Sequence, residues 1–219
     1  MTDNAVQDVH EVVLPGEPPL HALLGVPAGA RGLVIFAHGS GSGRLSPRNN
    51  YVAQRLRDRR LATLLLDLLS PAEEADRRNV FDISLLASRL VRATDWASRY
   101  EETHGLKPGY FGASTGGGAA LRAAAGDDRI AAVVSRGGRP DLAGQEALAA
   151  VAAPTLLLVG SRDEPVIELN EMAASELRCP HELVIVPGAG HLFEEPGTLD
   201  RVVELAGDWF SINFEGATP

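Results

Sequence analysis

The chain has 219 residues, 45% of them hydrophobic, and a formal net charge of −9. That length suits one α/β domain, expected to span 1–219, with enough apolar content for a large core. The acidic balance argues against nucleic acid or an anionic membrane surface as partner, because both need a basic footprint.

The N-terminal MTDNAVQDVHEVVL carries acids and has no apolar core of signal-peptide length. Two weak segments follow, near 9–14 and 20–26, with PGEPP as the turn between them. They read as an antiparallel edge hairpin. Then come stronger apolar runs: 32–39, 62–69, 109–114, 130–138, 154–163 and 182–191. Their continuous apolar character suits strands covered on both faces.

Helical patterns fill the gaps between the runs. Residues 47–60, entered through Ser46-Pro47, carry Tyr51, Val52 and Leu56 on one face, with Leu61 just beyond. Residues 82–103 are the longest amphipathic segment, and 115–126, 141–152, 165–178 and 198–211 complete the set. Alternating strand and helix implies a mostly parallel sheet of seven or eight strands with helices on both faces. The short stretch between Ser135 and Pro154 has room for one helix and none for a cap domain. The tail FEGATP reads as frayed.

Cys179 is the single cysteine, so no intrachain disulfide forms. No apolar run approaches the roughly 20 residues that a membrane-spanning helix needs. A cytosolic protein is expected.

The stretch GYFGASTGGGAA puts a serine between an apolar run and three glycines. Glycine inside a helix costs about 1 kcal/mol relative to alanine, so these glycines must serve a tight turn or a close approach. Residues 112–116 fit G-x-S-x-G, a sharp strand-to-helix turn that holds the Ser114 hydroxyl above the sheet. The helix beginning at Thr115 aims free N–H groups and its positive dipole end at the same place.

A serine hydroxyl needs a base. His191, in PGAGHLF after the last strong run, supplies one. Asp163, in GSRDEPV after the preceding run, can orient it; Glu164 and Asp67 are the rival acids. The order serine, acid, histidine and the separate strand ends bring the chain into line with one known arrangement. Over almost its whole length it resembles the α/β-hydrolase superfamily, most of all the small dienelactone hydrolase-like esterases. Dienelactone hydrolases proper use a cysteine nucleophile, and the serine here points instead to ordinary esters. By the same resemblance the loop after His38-Gly39 supplies an oxyanion N–H from Ser40, joined by that of Thr115.

The resemblance implies a carboxylic ester hydrolase acting on a small-molecule ester through an acyl-enzyme, without a cofactor. A thioesterase, a lactonase or a noncatalytic binding module on the same fold are the other readings. Similar units also occur joined to phosphoribosyltransferase domains, and such a partner is a minor expectation because the chain carries no second domain. Arg44, Arg136 and Arg139 fall near the rim of the expected cleft, where one or more could bind an anionic substrate group or pair with acids such as Asp141. His38 is expected to make a structural hydrogen bond. The remaining histidines have no metal-ligand spacing, so no metal is expected. The GSGSG run lacks the G-K-[ST] ending of a phosphate loop. Cys179 reads as a spectator.

Overall fold

A computed structural model describes residues 9–215. Its strands are β1 Val9–Leu14, β2 Leu20–Gly25, β3 Leu33–Ala37, β4 Ala62–Leu66, β5 Pro108–Ala113, β6 Val133–Arg136, β7 Thr155–Gly160 and β8 His181–Val186. They form one eight-stranded sheet in the order β1-β2-β4-β3-β5-β6-β7-β8. β2 pairs antiparallel with β1 and with β4, and every other pairing is parallel. This is the mostly parallel sheet expected, with the hairpin at its edge.

The continuous apolar runs have a direct physical cause. Successive side chains of a strand face opposite sides of the sheet. In β3, Leu33, Ile35 and Ala37 join the core on one face, while Val34 and Phe36 join the core on the other. Both faces are covered, so all five positions of β3 are buried and apolar.

The helices are α1 Pro47–Asp58, α2 Pro71–Glu74, α3 Arg77–Val80, α4 Ile83–Ala97, α5 Thr115–Ala124, α6 Gln145–Ala150, α7 Glu164–Glu176 and α8 Thr198–Glu215. α1 and α8 cover the Phe36 face through Val52, Leu56, Val202, Ala206 and Phe210. α4 to α7 cover the other face through Leu86, Leu90, Ala120, Leu148 and Ala173. Ser46 opens α1 by accepting from the Asn49 N–H, with Pro47 in the first turn. Asp82 opens α4 by accepting from the Leu85 N–H. Among the described residues, no cap domain sits over the carboxyl ends of the strands.

Three segments differ from expectation. The segment 141–152 divides into a 3-10 turn at Pro140–Ala143 and α6, because Gly144 breaks the path with φ +85°. α2 and α3 lie in a stretch with no periodic apolar signal. Their cue was the capping box at Ser70 and Glu73, in which each side chain meets the other residue's N–H. The tail is not frayed at its start: α8 runs through Phe214, which is 5% exposed and stacks on Phe210 at 5.6 Å between centroids. The rest of that tail, 216–219, and the first eight residues of the N-terminal stretch lie outside the described residues.

Candidate active site

Ser114 follows β5 directly and takes φ +51° and ψ −123°. A side chain in that region costs about 1–3 kcal/mol and persists only when its surroundings impose it. The neighbours that impose it are glycines. A Cβ at Gly112 would lie 2.5 Å from the Gly116 oxygen. A Cβ at Gly116 would overlap the Ala37 oxygen and lie 2.7 Å from the His38 oxygen. The glycines thus let α5 start against β3 and its loop while the serine turns outward. Gly116→Ala has only backbone to push against, so it is expected to destabilise folding by about 3 kcal/mol or more. A lowered urea midpoint at unchanged slope checks this.

His191 and Asp163 meet because adjacent strand ends are laced together. β7 and β8 pair through Gly160 and Val186. Beyond them, the Arg162 N–H donates to the Ala189 oxygen at 2.9 Å, and the Gly188 N–H donates to Ser161 Oγ at 2.8 Å. His191 Nδ1 then lies 2.6 Å from Asp163 Oδ2. The side chains are 38% and 13% exposed, so the carboxylate is shielded and the imidazole reaches the surface. Asp163 makes no side-chain bond to α7, leaving its carboxylate to the histidine. Among the rival acids, Glu164 is exposed and Asp67 accepts from the Arg44 backbone N–H at 2.7 Å and pairs with its guanidinium.

Ser114 and His191 line one cavity of about 230 Å³ with Gly39, Ser40 and Arg136. A larger cavity of about 520 Å³ is lined by the Ser40 loop itself with Asp67 and Glu74, and by neither Ser114 nor His191. Of these two cavities, the smaller one is lined by both Ser114 and His191.

The Ser40 loop crosses directly above the serine, since a Cβ at Gly39 would lie 3.0 Å from Ser114 Cβ. Neither the Ser40 N–H nor the Thr115 N–H donates to a backbone carbonyl among the described residues. His38 holds the base of this loop. The Leu68 N–H donates to His38 Nε2 at 3.0 Å, so the ring proton sits on Nδ1, which reaches the Gly39 oxygen at 2.9 Å. This is the structural role expected of His38. Burial pushes its pKa down, against weaker upward pulls from the Gly39 hydrogen bond, Asp67 and Glu74.

Well above pH 6.5 His38 is neutral in both folded and unfolded chains and adds no slope. Below it the unfolded chain binds a proton that the folded one refuses. Stability is therefore lost as pH falls, with a slope of at most ~1.4 kcal/mol per pH unit from this residue. Urea unfolding from pH 8 to 5 should show a shallower fall in His38→Gln than in the parent.

Residues 30–204 match the sequence profile of the alpha/beta hydrolase domain. The chain belongs to the alpha/beta hydrolase family. A dienelactone hydrolase from Anabaena variabilis is 56% identical, with a TM-score of 0.91 over 94% of this chain and 98% of that one. The esterase domain of a Rhodothermus marinus protein shares the fold at 19% identity, TM-score 0.72, over 94% and 99% of the two chains. Two curated relatives from Mycobacterium tuberculosis strains, each named "Putative phosphoribosyl transferase", are 55% identical over 99% of this chain. The chain spans 49% of their length, about half.

The three arginines singled out in the sequence part ways in this hydrolase. Arg44 is held by Asp67 and by Glu11, the latter at 3.2 Å. Arg139 makes a two-pronged pair with Asp141 at 2.8 and 2.7 Å. Neither lines the cavity of Ser114. Arg136 does, and burial together with the charge of Arg48 pushes its pKa down to about 10. Arg48 and Asn49, also on that cavity, were missed. Their only cue was adjacency to the glycine-rich loop. Cys179 is buried at the opposite end of β7, with Sγ 3.8 Å from Thr155 Oγ1. Among the described residues, no group of three histidine, cysteine or acidic side chains is placed to hold a metal ion. No described helix is long and apolar enough to cross a membrane.

Proposed function

We propose that this hydrolase cleaves carboxylic esters of small molecules with Ser114 as nucleophile, His191 as base and Asp163 as orienting acid. The observation that carries the reading is the conjunction at one cavity. A serine forced outward at φ +51° shares it with a histidine whose Nδ1 is 2.6 Å from a shielded carboxylate. Asp163 keeps the imidazole proton on Nδ1, which leaves Nε2 as the acceptor for the Ser114 proton. As Ser114 Oγ attacks the ester carbonyl, negative charge develops on the carbonyl oxygen. The Thr115 and Ser40 N–H groups receive it, each worth about 3 kcal/mol at the transition state. His191 then gives the proton to the departing alcohol. A water activated by the same histidine releases the acid and restores the serine.

Ester cleavage also accords with the 56% identity to a dienelactone hydrolase. Thioesters and lactones present the same carbonyl to the same groups, so the acyl and leaving groups are matters for assay. The transferase name of the mycobacterial relatives belongs to chains about twice as long, and that activity is not carried over to this one. A cytosolic setting is part of the proposal, in keeping with one buried, unoxidised cysteine.

The test is hydrolysis of para-nitrophenyl acetate, butyrate and octanoate. Turnover that saturates with substrate supports the reading and ranks the acyl lengths. No turnover of any of them would count against ester specificity.

A further inference from the structure

Arg136 ends β6, immediately before Gly137, whose added Cβ would lie 3.0 Å from the His191 oxygen. It is 7% exposed. Its Nη1 is buried without a hydrogen-bond partner, and its Nη2 reaches only Asn49 Oδ1, at 3.4 Å. The ring of Phe111 lies 6.0 Å away, a weak attraction at that range. No carboxylate among the described residues pairs with it. Even with its pKa pushed down, the guanidinium keeps its proton at neutral pH, so a charge without a carboxylate partner sits beside the nucleophile. Buried charges are ordinarily paired, and this one is not.

The rest of the cavity points the same way. Arg48 also lines it, with Nε buried and unpartnered and Nη1 turned to the exposed Glu194 at 2.6 Å. No aspartate or glutamate among the described residues lines it. Two arginines therefore line a space of about 230 Å³ that Ser114 and His191 also line. The contrast with Arg44 and Arg139, each tied to a nearby carboxylate, shows that pairing is the local habit.

We propose that Arg136, assisted by Arg48, forms an anion subsite that selects esters bearing a carboxylate or phosphate-like group within reach of Ser114. For turnover it rests on the hydrolase reading; for binding it does not. The guanidinium fork donates two parallel hydrogen bonds to either oxyanion, and no acid among the described residues competes for Arg136.

The test compares kcat/KM for mono-para-nitrophenyl glutarate, para-nitrophenyl phosphonobutyrate and neutral para-nitrophenyl pentanoate. In the parent protein at least one anionic ester should be favoured over the neutral one by about tenfold or more. Arg136→Met should lower that anionic-to-neutral ratio by about tenfold or more, whatever its effect on the neutral ester. Whichever anion is favoured identifies the source of the charge. The same ratio in both proteins, or no preference in the parent, overturns the proposal. If Arg136→Met does not fold, Arg136→Lys replaces it and should also lose the preference, because a point charge lacks the fork. If the parent turns over none of the three, the hydrolase reading has failed separately. Thermal melting of Ser114→Ala with glutarate or inorganic phosphate then decides. A rise in Tm that disappears in the Ser114→Ala, Arg136→Met double variant supports the subsite, and no rise overturns it.

Discussion

Ser114→Ala is expected to lower kcat/KM on para-nitrophenyl butyrate by about ten-thousand- to million-fold, with stability held within about 1 kcal/mol. The hydroxyl is the atom that bonds to the substrate in the proposed reaction, so nothing replaces it. What survives is the rate supplied by the Ser40 and Thr115 N–H groups and by binding alone. The fold should tolerate the change because no side-chain hydrogen bond caps α5 from Ser114. The strained φ is imposed by the glycine contacts around it rather than by the serine itself. Steady-state kinetics and a urea titration on the same preparation check both halves. A variant that keeps a tenth of the activity would remove Ser114 from the mechanism.

Asp163→Asn is expected to cost about ten-thousand-fold in kcat while leaving KM within a few-fold. The reason is a tautomer. The carboxylate 2.6 Å from His191 Nδ1 can only accept, so it holds the proton on Nδ1. An asparagine amide can donate to that nitrogen, which moves the proton to Nε2 and blocks the lone pair that serves Ser114. Geometry and folding should change little, since the Asp163 side chain makes no bond to the helix it precedes. A loss of less than tenfold would transfer the orienting role to another acid.

Much of this was legible in the chain because the relevant signals are local. Strands buried on both faces write themselves as unbroken apolar runs, and Ser114, Asp163 and His191 each stand just past such a run. The strands stop short of where the runs do: β6 ends at Arg136 and β8 at Val186. The surplus residues of the runs belong to the loops that carry the site, where Ala189 and, just past its run, Phe193 pack into the core. What stayed hidden depends on distant partners. Arg44 and Arg136 look alike in sequence, yet Arg44 meets Asp67 and Glu11 from other segments while Arg136 meets no acid. The glycine run was a visible oddity without a visible cause. Its cause is three-dimensional: Gly116 faces the end of β3, and Gly117 faces Ser135 and Gly138 beyond β6.

The most direct measurement is labelling with a fluorophosphonate, followed by intact mass and peptide mapping. The expected result is one adduct, on Ser114, absent from Ser114→Ala and slowed in Asp163→Asn. A parent protein that takes no label at Ser114, or takes it on another residue, would contradict an activated serine at this site.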